Sequence, residues 1–172
     1  MVVGVVGMPG SGKSVVDEVA RELGFLVVVM GDVVREETAR RGLESTPENV
    51  GRVMLRFRRE EGPAVVAKRC IAKVMETDAR HVLIEGIRSF DEVQEFRRAF
   101  PDLKLLAVHS SPETRFRRLF KRGRSDDSSS RETFVKRDFR ELQVGIGSAI
   151  ALADRVIVNE ESVAQFRARV KR

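Results

Sequence analysis

Several residue types on which protein chemistry often depends are scarce or absent in this sequence. Its 172 residues include no tryptophan, no tyrosine, one cysteine and two histidines. Cys70 has no second cysteine with which to form an internal disulfide, and with His81 and His109 it offers too few ligands for an ordinary zinc site. We therefore expect Cys70 to be a small buried hydrophobic residue on a helix.

Long hydrophobic runs are also missing. The longest, Phe25 to Met30, has six residues, whereas a membrane-spanning helix needs about twenty. The strand-like run at residues 1–6 carries no basic leader or small-residue cleavage site. We therefore expect a soluble cytoplasmic protein without a membrane partner, and the length predicts one domain over residues 1–172.

The excess of positive charge is confined to one part of the sequence. Lysine and arginine total 32 against 26 acidic residues, which gives a net charge of +6. Between Arg115 and Arg140 there are ten basic and four acidic residues, so this segment holds the whole surplus. Nucleic-acid-binding proteins tend to spread basic charge over a face or a tail and to add stacking aromatics. The concentration favours a local polyanion such as a phosphate chain and leaves nucleic-acid binding as a rival.

Short apolar runs alternate with longer segments of helical periodicity, a pattern typical of α/β proteins with a parallel sheet. The predicted strands are residues 2–6, 25–30, 81–85, 104–109 and 155–158. The predicted helices are residues 13–23, 33–41, 47–60, 63–77, 91–100, 112–121, 131–152 and 163–170, with N-caps at Thr46, Ser89, Ser111 and Ser162. The sequence thus predicts a five-stranded parallel sheet sandwiched by helices. It also predicts a helical insertion at about 31–80 and a short lid at about 121–131.

A phosphate-binding loop follows the first predicted strand and opens the first predicted helix. The pattern G-x-x-x-x-G-K-[ST] is matched by Gly7, Met8, Pro9, Gly10, Ser11, Gly12, Lys13 and Ser14. Its glycines let backbone N–H groups point inward at the positive end of the helix. Lys13 is expected to reach the β- and γ-phosphates, and the Ser14 hydroxyl to coordinate Mg²⁺. The sequence therefore predicts binding of a nucleoside triphosphate, ATP, with Mg²⁺.

Two arginines lie just beyond the second and third predicted strands, where open α/β sheets bind ligands. Their segments read Met30-Gly31-Asp32-Val33-Val34-Arg35 and Ile84-Glu85-Gly86-Ile87-Arg88. These resemble segments of the nucleoside monophosphate kinases, adenylate kinases in particular, which have Gly-Asp-x-x-Arg and Asp-Gly-x-x-Arg there. The resemblance implies that Arg35 and Arg88 bind the phosphate of an acceptor nucleotide, with Gly31, Asp32 and Glu85 at the same site. The second segment differs from the family in having one residue fewer and glutamate for aspartate.

The basic segment adds to this resemblance. Around an Arg-x-Asp-Asp element at 124–127, its arginines are similar to the short lid of these kinases. The resemblance implies that Arg118 and Arg122 bind ATP, and that Arg124 and Arg137 stabilise the transferring phosphate.

The last predicted strand resembles a different kinase. Residues 153–159 match the Ala-Asp-x-x-Ile-x-Asn form of dephospho-coenzyme A kinase, and Asn159 is accordingly expected to bind ATP. The His-Pro element of that family has no counterpart here, because residues 31–80 contain no histidine. This combination of adenylate-kinase-like and dephospho-coenzyme A kinase-like elements most resembles an archaeal group of adenylate-kinase-related proteins.

These patterns predict an enzyme, a phosphotransferase that moves the γ-phosphoryl group of ATP to a nucleoside monophosphate, with AMP as the expected acceptor. The loose transition state of phosphoryl transfer needs alignment and positive charge more than a protein base. The predicted catalytic residues are Lys13, Asp32, Arg88, Arg124 and Arg137. Glu85 is expected to hold Mg²⁺ together with Ser14. Asp32 has two open roles, as the cap of the helix that begins near Val33 or as the base for a hydroxyl acceptor.

Three alternatives remain open on the sequence alone. The first is a small-molecule kinase of the dephospho-coenzyme A kinase type. The second is a regulatory P-loop ATPase or GTPase, although the guanine-reading element Asn-Lys-x-Asp is absent. The third is an RNA-related protein that uses residues 115–140 as a basic patch. That protein would bind nucleic acid without nucleotide, with an affinity that falls steeply as salt rises.

Overall fold

Five parallel strands form the centre of the computed structural model, which describes residues 1–123 and 130–172. The strands are β1 (Val2–Val6), β2 (Leu26–Val29), β3 (Val82–Ile87), β4 (Lys104–His109) and β5 (Arg155–Val158). Their order in the sheet is β2-β3-β1-β4-β5. The carboxyl ends of β1, β2 and β3 therefore meet at one edge of the sheet, where ligands bind in open α/β folds.

Helices cover both faces of this sheet, as the alternating pattern predicts. They are α1 (Lys13–Glu22), α2 (Met30–Arg40), α3 (Pro47–Glu61), α4 (Val65–Met75), α5 (Phe90–Ala99), α6 (Pro112–Arg122), α7 (Arg131–Val144), α8 (Ile146–Ala151) and α9 (Val163–Val170). Successive strand residues point to opposite faces, so Val5 packs with α1 and α9 while Val6 packs with the helices of the other face. The predicted fold class is confirmed.

Side-chain caps fix the starts of several helices. Thr46, Ser89, Ser111 and Ser162 each accept a hydrogen bond from the backbone N–H three residues further on, as predicted. Ser130 caps α7 in the same way, within the stretch predicted as a lid. Cys70 lies fully buried on α4, and burial raises the pKa of its thiol to about 12. Its prediction as a buried hydrophobic residue is confirmed.

The start of α2 differs from the prediction in a way that bears on the site. The helix begins at Met30, immediately after β2, and its N-cap is Val29 rather than Asp32. Asp32 therefore lies inside the first turn, and of the two roles left open for it the structure excludes the helix cap. The sequence Gly31-Asp32 looks like a turn followed by a cap, but the strand runs into the helix without connecting residues.

Two glycines account for further differences. The predicted helix 131–152 is divided at Gly145, whose φ of +107° ends α7 and starts α8 in a new direction. Strand β3 continues past Glu85 to Ile87 with a bulge at Gly86, which has φ of +96°. Glu85 therefore lies within the strand, between Val5 and Val29 of its neighbours, rather than at its end.

The polar stretch after α6 was predicted as a lid at about 121–131, and residues 124–129 of it lie outside the described residues. Across the described ranges, no helix combines the length and the apolar character that crossing a membrane would require.

Candidate active site

The loop between β1 and α1 follows a path that leaves no room for side chains at its three glycines, Gly7, Gly10 and Gly12. A Cβ atom on Gly7 would lie 2.4 Å from the carbonyl oxygen of Val108, and one on Gly12 would lie 2.2 Å from Nδ2 of Asn159. Gly12 also has a left-handed φ of +102°, which side chains disfavour. The backbone is thus compact as it enters α1, whose first N–H groups attract anions.

Lys13 lies folded against this loop. Its Nζ donates to the carbonyl oxygens of Gly7 at 2.8 Å and Met8 at 3.4 Å, and lies 3.7 Å from Glu85 Oε1. Burial lowers the pKa of the ammonium group, and the carboxylate of Glu85 partly opposes this shift. The loop and β3 therefore hold one positive charge at the mouth of the loop.

Arg118 and Asn159 brace the other side of the loop. Arg118 Nη2 donates to the carbonyl oxygen and Oδ1 of Asn159 at 3.1 and 3.2 Å, and Asn159 Nδ2 donates to the carbonyl oxygen of Ser11 at 2.8 Å. Arg118 Nη1 also reaches Ser110 Oγ at 2.9 Å. These bonds connect α6, the end of β5 and the loop, so both residues support the loop as well as facing the cleft.

A cleft of about 590 Å³ opens beside the loop and brings most of the predicted site residues together. Those that line it are Gly7, Pro9, Gly10, Gly12, Lys13, Ser14, Gly31, Asp32, Arg35, Glu85, Arg88, Arg118, Arg122, Arg137 and Asn159. Met8 and Ser11 do not line it, because Met8 packs against the core and Ser11 is fully buried. Arg124 lies outside the described residues. The listed residues come from four helices (α1, α2, α6 and α7), from β3 and from the segments that follow β1, β3 and β5, and they meet where the sequence predicted a site.

A second, smaller cavity of about 70 Å³ adjoins the cleft and was not predicted as such. Five arginines line it, from α2, α3, α7 and the end of β3: Arg35, Arg58, Arg88, Arg137 and Arg140. Its apolar lining comes from Met30, Val34, Val50, Met54 and Val66. The two cavities share Gly31, Arg35, Gly86, Arg88, Arg137 and Glu141. A compartment with cationic and apolar walls therefore opens directly onto the P-loop cleft.

Arg88 is held in this shared wall by an acidic residue that sequence reasoning missed. Its Nη1 donates to both carboxylate oxygens of Glu141, at 2.8 and 3.1 Å. The side chain of Glu141 is 2% exposed, and its negative charge raises the pKa of Arg88. Arg88 lies beside the cleft as predicted, but with an internal carboxylate already bound to it.

Arg35 is paired in a similar manner. Its Nη2 donates to Asp32 Oδ1 one turn earlier on α2, and both side chains are about half exposed. Asp32, which does not cap α2, thus orients the arginine predicted to bind the acceptor.

A buried ion pair between Arg58 and Glu92 lies next to the backbone of Arg88. Glu92, which is fully buried, accepts hydrogen bonds from Arg58 Nη2 and from the backbone N–H of Arg88, the latter at 2.7 Å. Across the cavity, Arg140 lies against α3 where Gly51 leaves space, since a Cβ there would be 3.0 Å from Arg140 Nη1. Nothing in the local sequence reveals that Arg58 pairs with Glu92 or that Arg140 lies against Gly51.

Asp17 is a further residue that the sequence reading passed over. It lines the cleft from α1, is 8% exposed, and its Oδ1 accepts no hydrogen bond from any part of the chain that the structure describes. Burial, reinforced by the charge of Glu85, raises the pKa of this carboxyl to about 7. One signal was available, because Asp17 follows Lys13 by four residues and must share its face of the helix.

Part of the basic surplus is consumed by ion pairs within the protein. Arg115, which is buried, donates to both carboxylate oxygens of Asp138 and so joins α6 to α7. Arg131 pairs with Glu113 and Lys136 with Glu132. The predicted lid arginines Arg122 and Arg137 line the cleft from the end of α6 and from α7. Asp138 and Glu132 are already subtracted in the surplus of residues 115–140, so among these ion pairs only that of Arg131 with Glu113 further lowers the charge that the segment offers to a nucleic acid.

Comparisons with known proteins identify a family to which the chain belongs and solved structures of similar fold. A family model described as an AAA domain matches residues 6–135. A UPF0200 protein of Thermococcus sibiricus is 50% identical over 100% of this chain and 93% of its own length. The chain belongs to the UPF0200 family. The predicted archaeal group is thereby supported, while the closer relation to adenylate kinases stays a prediction.

Solved structures similar to this UPF0200 chain include two kinases. A shikimate kinase from Bacteroides thetaiotaomicron has a TM-score of 0.61 and 16% identity, covering 99% of this chain and 96% of that one. A gluconokinase from Sinorhizobium meliloti 1021 has a TM-score of 0.58 and 15% identity, covering 98% and 87%. At these identities the likeness concerns the fold, which is that of the P-loop kinases.

The donor set in the cleft of this UPF0200 protein suits the magnesium ion that such folds imply. Within the described ranges, no three histidine, cysteine, aspartate or glutamate side chains cluster as metal ligands. Mg²⁺ needs fewer, since it is usually held by one or two carboxylates together with substrate phosphates and water. Ser14, Glu85 and the unpartnered oxygen of Asp17 line the same cleft, so the residues present fit the ion.

Proposed function

We propose that this UPF0200 protein is an ATP- and Mg²⁺-dependent phosphotransferase that transfers the γ-phosphoryl group of ATP to a nucleoside monophosphate, with AMP as the preferred acceptor. The observation that carries the proposal is the arginine-lined cavity, because it opens into the P-loop cleft and shares six lining residues with it. A donor site and an anion-binding acceptor site are thus adjacent, as phosphoryl transfer requires.

The donor side is assigned to the P-loop. The segment from Gly7 to Gly12 would surround the phosphates of ATP, with the backbone N–H groups of its cleft-lining glycines Gly7, Gly10 and Gly12 as donors. Met8, Pro9 and Ser11 would fix the shape of this segment, because Pro9 has no N–H and the N–H of Ser11 donates to the carbonyl oxygen of Met8. Arg118, Arg122 and Asn159 would also contribute to ATP binding. Ser14 and Glu85 would hold Mg²⁺, which neutralises the phosphate oxygens when bound. Lys13 would place its buried charge at the transferring group, where preorganised charge has most effect on the barrier.

The acceptor side is assigned to the smaller cavity. Arginine binds phosphate oxygens through two parallel N–H bonds, and Arg35 and Arg88 lie in the wall common to both cavities. The apolar wall of Val34, Val50 and Met54 would accept the flat base of a nucleotide. We assign the acceptor-binding part to residues of about 31–80 within a single kinase domain spanning 1–172.

On binding of the acceptor, Arg88 and Arg35 would exchange some of their bonds to protein carboxylates for bonds to the acceptor phosphate. Glu141 holds Arg88 and Asp32 holds Arg35, and an incoming phosphate would compete with, or bridge beside, these carboxylates. Arg137, with Arg124 of the predicted lid, would complete the positive charge around the transferring phosphoryl group. Excluding water at this step prevents loss of the phosphoryl group by hydrolysis.

A hydroxyl acceptor, as in a dephospho-coenzyme A kinase type of reaction, is the second candidate. The observation that favours it is Asp32, a half-exposed carboxylate in the cleft that could take a proton from a hydroxyl group. The solved structures of similar fold include kinases named for shikimate and gluconate chemistry. An anionic phosphate acceptor needs no such base, so Asp32 distinguishes the two candidates.

The deciding experiment follows transfer of labelled phosphate from ATP with Mg²⁺ to separate acceptors: AMP, the other nucleoside monophosphates, and dephospho-coenzyme A. We expect AMP to be the best acceptor and Asp32→Asn to reduce its phosphorylation only a few-fold. Preference for dephospho-coenzyme A, with a large loss in Asp32→Asn, would establish the second candidate instead. Release of inorganic phosphate without transfer to any acceptor would refute both.

A further inference from the structure

Asp17 combines burial with an unsatisfied oxygen, a combination that folded proteins mostly avoid. The residue is 8% exposed, and its Oδ1 accepts no hydrogen bond from the described residues. Because nearly all buried polar atoms have a partner, an exception of this kind calls for a specific explanation. Asp17 also lines the P-loop cleft, so a bound group could reach the oxygen.

The charges around Asp17 indicate the sign of that group. Glu85 lines the same cleft and its negative charge adds to the burial that raises the pKa of Asp17. Lys13, the nearest ammonium on this face of α1, is already bound to two carbonyl oxygens and lies 3.7 Å from Glu85. Arg21, which also lines the cleft, and Lys13 both favour the charged form of Asp17, but burial and the charge of Glu85 outweigh them. A divalent cation bound by both carboxylates would remove the repulsion between Asp17 and Glu85.

The neighbouring donors indicate which cation. Ser14 lies in the first turn of the same helix, three residues before Asp17, so the two side chains project to the same side of α1. A hydroxyl, two carboxylates and the phosphates of a nucleotide are all hard oxygen ligands, the kind that Mg²⁺ prefers over nitrogen or sulfur.

We propose that Asp17 is the second carboxylate of the magnesium site, which it forms with Glu85 and Ser14 when ATP is bound. The proposal rests on the ATP-binding role of the cleft proposed above. It adds a carboxylate on α1 to the Ser14 hydroxyl of the same helix and the carboxylate expected on β3, and it explains why α1 carries a buried carboxylate one turn after the P-loop lysine.

The test is titration of Mn²⁺, a paramagnetic substitute for Mg²⁺, into protein saturated with ATP, followed by electron paramagnetic resonance. Wild type, Asp17→Asn and Asp17→Ala are compared with Glu18→Gln, which removes the same charge from the next residue, whose side chain is 61% exposed. We expect both Asp17 variants to bind Mn²⁺ about tenfold more weakly than wild type or Glu18→Gln. Calorimetry without metal should show ATP affinity equal to or above that of wild type.

Other results would overturn the proposal. Unchanged Mn²⁺ affinity in the folded Asp17 variants, or no Mn²⁺ binding by the wild-type complex beyond that of free ATP, would each exclude Asp17 from a metal site. Equal loss of ATP affinity with and without metal would make Asp17 a structural support of the loop instead. Because no acceptor is present, failure of the proposed transfer to AMP would not produce any of these results.

Discussion

The two walls of the cleft are built in different ways. The P-loop wall is one continuous segment, residues 7–14, whose form depends on backbone conformation and on glycines that close approaches require. The wall of the adjoining smaller cavity, which we propose binds the acceptor and call the acceptor wall, consists of arginines from four separate elements, several of them bound to a carboxylate of the protein. Lys13 in the first wall is bound mainly to backbone carbonyl oxygens, whereas three arginines of the second wall are bound directly to carboxylates and would have to exchange these ion pairs for bonds to a ligand.

The largest expected effect follows from breaking the P-loop wall. Lys13→Ala should raise the barrier to transfer by about 3 kcal/mol or more, because one preorganised charge at the transferring phosphate is lost. Turnover would then fall on the order of a hundredfold. Steady-state kinetics measure the loss, with Lys68→Ala, an exposed lysine of α4, as the control. Full turnover in a folded Lys13→Ala protein would contradict the assignment.

A smaller and more selective effect is expected from the acceptor wall. Arg88→Ala should raise the dissociation constant of AMP about tenfold or more, since a charge-assisted arginine bond contributes roughly 1.5 to 3 kcal/mol. ATP affinity should hardly change. Glu141→Gln, which removes the carboxylate that competes for Arg88, should bind AMP at least as tightly as wild type.

Calorimetric titration of AMP checks these expectations. The control is Arg98→Ala, which removes an exposed arginine that pairs with Glu95 on the same helix. The distinction between the walls fails if AMP does not bind wild type, or binds wild type and Arg88→Ala equally.

Arg137 on α7 lines both cavities, so its replacement tests the region that the P-loop wall and the acceptor wall share. If it acts on the transferring phosphate, Arg137→Ala should lower the catalytic rate about tenfold while changing ATP affinity about twofold or less, because contacts that mature in the transition state affect rate more than binding. Rate and ATP affinity are measured on the same variant, together with binding to a short RNA at two salt concentrations. Loss of RNA binding with an unchanged rate would favour the nucleic-acid function instead.

The smallest effect concerns the stability of α2, the helix that carries Arg35 of the acceptor wall, and it depends on pH. Hydrogen bonds from Arg40, and then from Arg41, lower the pKa of Glu37 on α2 from 4.5 to about 2. A lowered pKa in the folded state means that the stabilisation is present above about pH 4.5 and is lost as the pH falls towards 2. Chemical unfolding should therefore show wild type more stable than Glu37→Gln at pH 7, with the difference shrinking below pH 4.5. A difference independent of pH would exclude ionisation as its cause.

The sequence was sufficient for features that are local along the chain. The P-loop, the five strands and the serine and threonine caps depend on residues within a few positions of one another, so their patterns were readable. Glu141 and Arg88 lie 53 residues apart, and Arg58 and Glu92 lie 34 apart. Such pairings depend on how α3, α5 and α7 pack around the end of β3, and this packing cannot be predicted from any local sequence pattern.

Two local errors have a different cause. Gly31-Asp32 and Gly145 are residues with more than one common role: the first pair is typical of a turn and a cap, and a single glycine is tolerated inside helices. In the structure, packing of Met30 and Val33 into the core draws the helix back to the end of β2. The left-handed conformation of Gly145 breaks the predicted helix instead.

The direct passage from β2 into α2 has a consequence for insertions and deletions. Successive residues of an α-helix are rotated by about 100° around its axis, and no loop separates Val29 from Met30 to absorb a change in length. One residue added at this junction would turn Arg35 away from the cleft and bring a neighbour into its place. The connection between α2 and α3, residues 41–46, could lengthen without altering the phase of either helix, so natural length variation should be found there and not at the junction.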